Sequence, residues 1–234
     1  MKKLVAGVLL LGLAVSFPFH AKAEGIEAGQ QMVALSLGGA MPLEKAGFSA
    51  KDIGFTDDQE MQWGKVGGVA GLSYMYFPSA YFGVGLEGND GYFVGKKYKT
   101  EAGGNKYETK TGMNVSNVLL SMRLNVNPSG KYRFYIPFGG GYSWSVNMLE
   151  QKNTVGGTTT KDTYHVTTGG FGYFGGLGFE MDLGKRWSLG LEARYNGFTH
   201  DTDKIAKTKD NKPKLVGDKD YTYVSAALQV GYRF

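Results

Sequence analysis

Glu87, Arg123, Glu180, Glu192 and Arg194 sit in stretches that alternate apolar and polar positions, so each falls on the face opposite its apolar neighbours. Acids and arginines gathered on one face can form ion pairs, or they can line a polar passage. The same parity places Gly83, Gly85, Ser121, Asn125, Gly172, Gly176, Gly178, Asp182 and Gly190 beside them. Small residues next to charges fit a narrow interior, and a buried charge without a partner is very costly. The pattern therefore points first to a salt-bridged network, and second to a narrow gated passage.

Other residue types that could do chemistry lack the company they need. His165 and His200 stand near Asp162 and Asp201, but the neighbouring hydroxyls are Thr163, Thr167 and Thr168, with no serine close to either histidine. A nucleophile, base and orienting acid are thus not assembled in sequence, and no enzyme is expected. Asp57 with Asp58, and Asp201 with Asp203, lack the spacing of a calcium loop. The glycines at 139–141 and 169–170 lack the lysine and the strand-to-helix context of a phosphate loop, so they read as strand glycines. No cofactor and no metal are expected.

The elements that must carry these residues are strands. Period-two alternation marks about eight of them, near 31–40, 64–77, 81–93, 113–126, 132–147, 168–183, 187–198 and 221–234. The last alternates Val224, Ala226, Leu228, Val230, Tyr232 and Phe234 against Ser225, Ala227, Gln229, Gly231 and Arg233. Tight turns are expected at 78–80, 127–130 and 184–186, and long polar loops at 41–63, 94–112, 148–167 and 199–220. Aromatic residues such as Tyr76, Phe77, Tyr81, Phe82, Tyr132, Phe134 and Trp187 gather around the tight turns, as a membrane-interface girdle would. The composition agrees, with 37 glycines, 15 tyrosines and 14 phenylalanines against 6 prolines.

The first 23 residues have the order of an export signal: Lys2 and Lys3, an apolar run from Leu4 to Phe17, Pro18, and then Ala21-Lys22-Ala23. The domain plan is therefore a cleaved signal peptide at 1–23 and one barrel domain at 24–234. No other stretch approaches the ~20 apolar residues of a membrane helix. A membrane can then be crossed here by strands alone, and lipid requires such a sheet to be antiparallel and closed. With no cysteine in the chain, the hydrogen-bond ladder replaces disulfides. Without Lys2, Lys3 and Lys22 the formal charge of +5 falls to +2, which argues against a nucleic-acid partner.

Three stretches carry a resemblance. Tyr232 and Phe234 resemble the C-terminal signal by which Gram-negative outer-membrane barrels are recognised by their assembly machinery. The run from Lys131 to Tyr142, the stretch from Gly175 to Tyr195 and the Gly231-Tyr232-Arg233-Phe234 end are similar to the OmpA, OmpX and OmpW group of small outer-membrane proteins. The resemblance implies an all-β fold, a closed antiparallel up-and-down transmembrane barrel of about eight strands. It further implies short periplasmic turns, long extracellular loops, periplasmic termini and a monomer in outer-membrane lipid. A structural or surface-exposed role with a largely plugged polar lumen is the functional expectation. The alternatives are a narrow OmpW-like channel for small solutes and a soluble secreted β-barrel binding protein. Lys96, Lys97 and Lys99 lie in a basic loop suited to lipopolysaccharide phosphates.

Overall fold

A computed structural model describes residues 25–43, 47–49, 60–62, 64–102, 104–199 and 221–234. The expected signal peptide, His200 and most of the loops at 41–63 and 199–220 lie outside the described residues. Among the described residues there are ten strands: β1 (Gln31–Pro42), β2 (Gly47–Ser49), β3 (Glu60–Gln62), β4 (Val66–Ser79) and β5 (Phe82–Ala102) in the first half. They are followed by β6 (Asn105–Asn125), β7 (Tyr132–Val155), β8 (Thr158–Asp182), β9 (Trp187–Phe198) and β10 (Tyr221–Arg233). Eight of them close into a barrel in the order β1-β10-β9-β8-β7-β6-β5-β4, while β2 and β3 pair with each other. Every pairing is antiparallel.

Closure occurs between the two ends of the chain. β1 runs against β10 from Met32 opposite Arg233 to Pro42 opposite Tyr223. One rung further, Gln31 and Phe234 exchange both backbone hydrogen bonds at 3.1 Å. No edge is left for lipid to face along this seam.

The short connections have local causes. The Ser79 hydroxyl accepts from the Phe82 amide at 3.2 Å. The Asn127 side chain donates to the Tyr132 carbonyl at 2.8 Å and accepts from the Phe134 amide at 2.6 Å, which fixes the second turn. Alternation then sorts the side chains into two faces. Leu37, Leu72, Leu86 and Leu177 point outward and are more than half exposed, a continuous apolar face that a soluble monomer would not present. Aromatic stacks edge this band, Tyr132 with Phe179 near the turns and Tyr142 with Trp144 toward the other end.

Two expected loops prove to be strand. The described residues of 94–112 and 148–167 continue β5 through β8 as paired strands beyond the apolar band. Gly156 and Gly157 both have positive φ, 56° and 83°, between the paired Val155 and Thr158. That is the geometry of a two-residue hairpin turn. Threonines and tyrosines on either side favour strand, and because the outer face is charged and the inner face buries Tyr98, Thr109, Thr111 and Leu149 only near the band, no long apolar alternation marks these segments.

Candidate functional site

The lumen holds most of the buried charge. Near the short turns, Arg123, Arg133 and Arg233 converge on Glu180 and Asp182, all essentially without solvent exposure. Arg133 donates to Asp182 Oδ2 at 2.6 Å and to Glu180 Oε1 at 2.5 Å. Arg123 reaches the other oxygen of Glu180 at 2.6 Å and Asn125 Oδ1 at 2.7 Å. Arg233 and Arg133 share Asp182 Oδ1. The third arginine exceeds the acid count, and carbonyl oxygens take two of the surplus donors: Gly130 accepts from Arg133 at 3.1 Å and Gly25 from Arg233 at 3.2 Å. The Arg123 guanidinium also stacks on the Tyr135 ring at 3.7 Å. Gly178 leaves the space for that ring, since a Cβ there would run into it.

A second layer inverts the balance, with one arginine between two acids. Arg194 grips both oxygens of Glu87, Nη2 to Oε2 at 2.9 Å, and its Nε donates to Glu192. Asn89 supports Glu87 at 2.8 Å, and Gln229 donates to Glu192 at 3.4 Å. Phe174 underlies the Arg194 guanidinium at 4.3 Å. Tyr135 joins the layers by donating to Gln229 Oε1 at 3.0 Å. Across both layers four arginines meet four carboxylates, so the buried network is neutral as a whole.

Above it lies a belt of amides and hydroxyls. Asn117 donates to Asn89 at 2.5 Å and accepts from Ser143, and Ser145 bonds Thr168 at 2.8 Å. An apolar layer follows, built from Phe93, Met113, Val115, Leu149, Phe198, Tyr221 and Tyr223. Phe93 meets Tyr221 and Tyr223 edge to face at 5.9 and 5.2 Å. At the opposite end the chain covers its own entrance, because Ile26 is buried with Met32, Met75 and Phe77 and its amide donates to the Pro128 carbonyl at 2.9 Å. Between these layers are cavities of about 30 Å³ beside Glu87, Glu192 and Arg194, and about 10 Å³ beside Arg123 and Tyr135. Both are water-sized.

The five residues singled out in the sequence fall into two groups. Glu87, Glu192 and Arg194 form the second layer, and Arg123 with Glu180 belongs to the first. Sequence reading missed Arg133 and Arg233 as partners, although they occupy the same inward parity, and it missed the aromatic layer. His165 is exposed, on the outer parity of β8. Among the described residues no group of three His, Cys, Asp or Glu could hold a metal.

On the hairpins, a bulge between Val94 and Lys97 shifts the register of β5. Lys97 and Lys99 therefore keep the outer parity, while Lys96 turns to the inner side and lies over the Tyr98 ring at 5.5 Å. Lys97 bonds Glu108 at 2.5 Å, and Lys161 bonds Glu150 at 3.0 Å. These hydrogen bonds, reinforced by neighbouring lysines, hold both carboxyls below the usual glutamate range. Tyr232 packs on Trp187 at 4.9 Å and stacks with Phe234 beside the seam.

A family model described as an outer membrane protein β-barrel domain matches residues 8–234. Among solved structures, OprG from Pseudomonas aeruginosa is similar at 13% identity and a TM-score of 0.49, over 91% of this chain and 99% of that one. Outer Membrane Protein W of E. coli is similar at 16% identity and a TM-score of 0.38, over 89% and 99%. Ail, the attachment invasion locus protein of Yersinia pestis, is similar at 12% identity and a TM-score of 0.41, over 88% and 99%. These likenesses concern the fold alone. No curated protein matches the chain.

Proposed function

The chain belongs to the outer membrane protein β-barrel domain family, and on that premise we propose that it is a non-catalytic, surface-exposed structural barrel whose lumen is plugged by its own side chains. The signal peptide at 1–23 is removed on export, both ends of the mature chain lie in the periplasm, and the hairpins stand outside the cell. The terminal strand, with Tyr232 and Phe234, is what the assembly machinery binds. The observation that carries the plugged reading is the neutral network of four arginines and four carboxylates drawn from β5 through β10, all buried but Arg194, which is 11% exposed. A barrel of eight strands is just wide enough for side chains to fill. The second reading, a narrow channel of the OmpW sort, draws on the cavity beside Arg194. It would require Arg194 to leave Glu87 and Glu192.

Placement is testable because the chain has no native cysteine. Thr158→Cys at the tip of the β7–β8 hairpin should react with a membrane-impermeant maleimide on intact cells, and Ser129→Cys at a short turn should react after the outer membrane is opened. The reverse pattern would place the hairpins in the periplasm. Recovery of the native chain in the soluble fraction without detergent would remove the barrel from the membrane altogether.

A further inference from the structure

The last apolar rung on the outer face of the hairpin sheet is Val94 on β5, Gly112 on β6 and Met148 on β7, which stand opposite one another. The next rung is Lys97, Lys110 and Glu150, and the one after it is Lys99, Glu108, Lys152 and Lys161. Lysines thus begin one rung above Val94 and Met148, while the acid nearer the apolar band on this face, Asp90, accepts from Asn114 and Ser116. Neighbouring strands lie about 4.8 Å apart and same-face residues roughly 7 Å apart along a strand. Glu108 is therefore ringed by Lys97, Lys99, Lys110 and Lys152.

The ring is not balanced. Six lysines and three glutamates share this face among the described residues, and each glutamate is bonded to one lysine: Lys97 to Glu108, Lys106 to Glu101 and Lys161 to Glu150. Lys99, Lys110 and Lys152 have no ion-pair partner among the described residues. Register also sets Lys97 directly opposite Lys110, and Lys152 directly opposite Lys161. Like charges placed opposite each other weaken a sheet. In each pair one lysine is bonded to a glutamate, Lys97 to Glu108 and Lys161 to Glu150, which leaves Lys110 and Lys152 for an external anion.

We propose that this face, centred on Glu108, binds the phosphate groups of an outer-leaflet glycolipid through Lys99, Lys110 and Lys152. The occupant is a lipid rather than free phosphate because Val94 and Met148, one rung below, offer apolar surface to acyl chains. The proposal rests on the outer-membrane placement with the hairpins outside. It differs from a solvated basic loop in requiring β6 and β7 as well as β5, and in excluding Lys96, which faces inward.

The test uses the full barrel in phosphatidylcholine nanodiscs, its folded state verified by heat-modifiable gel mobility, titrated with bisphosphorylated lipid A. Saturable binding is expected, and the triple variant K99Q/K110Q/K152Q should bind on the order of 100-fold more weakly. Glu108→Gln should bind more tightly, and Lys131→Gln at a short turn should match the wild type. Dephosphorylated lipid A should bind as weakly as the triple variant, and inorganic phosphate should not compete at equal concentration. Unchanged affinity in the folded triple variant would overturn the site, as would equal binding of the dephosphorylated lipid or effective competition by inorganic phosphate. A chain that never enters the nanodisc fails the placement instead, so the two failures are distinguishable.

Discussion

Asp182→Ala should lower the unfolding free energy by about 3 to 5 kcal/mol, because it leaves buried charge uncompensated. Asp182 is the acid shared by Arg133 and Arg233, and all three are shut off from water. Without it, Glu180 alone would face three arginines. Asp182→Asn keeps the shape and loses the charge, so it should cost nearly as much if electrostatics, not packing, holds this layer. Glu101→Ala serves as the contrast. Its pair with Lys106 is mostly exposed on both sides, and such pairs contribute less than about 1 kcal/mol. Denaturant unfolding from lipid vesicles, followed by tryptophan fluorescence, measures all three. An Asp182→Ala barrel within about 0.5 kcal/mol of the wild type would mean that the ionic layer does not stabilise the fold.

Deleting Phe234, or changing it to Asp, should abolish assembly and leave unfolded chain in the periplasm. Phe234 closes the last rung of the seam with Gln31, and its ring continues the outward aromatic row with Tyr232 and Trp187. An unclosed edge facing lipid leaves backbone groups unsatisfied at several kcal/mol each. Phe234→Tyr should assemble normally, since it keeps both the backbone rung and the aromatic face. The fraction of chain that migrates in the heat-modifiable form reads the outcome. A normal yield of folded barrel from the deletion would show that the terminal residue is dispensable for closure and for recognition.

Parity carried most of the fold in the sequence, because a period of two leaves one choice of face for each strand. It located Glu87, Arg123, Glu180, Glu192 and Arg194 on the inward side without any knowledge of distances. Arg133 and Arg233 obey the same parity, yet each stands between outward aromatics, Tyr132 with Phe134 and Tyr232 with Phe234, so its sequence surroundings are those of the girdle. Pairing partners were not legible, since register across strands far apart in sequence decides that Arg123 meets Glu180 and Arg194 meets Glu87. The reversal at Lys96 depends on a bulge whose sole trace is Gly95, where a Cβ would collide with Thr111. The hairpins of β5 through β8 were hidden by their polarity, although Gly156-Gly157 between threonine-rich flanks is a hairpin signal. Inward Phe93, Phe198, Tyr221 and Tyr223 were obscured for a different reason. Aromatic residues in a membrane barrel are expected on the lipid side, and nothing in a strand's composition says that its aromatics turn inward beyond the polar belt.

Conductance across a planar bilayer tests the plugged lumen most directly. If the proposed plug of two ionic layers and an aromatic layer holds, the folded wild-type barrel should show no steady current above that of the bare bilayer; the two cavities beside Arg194 and Arg123 are water-sized. A steady, porin-like current through the wild-type protein would contradict the account and favour the channel.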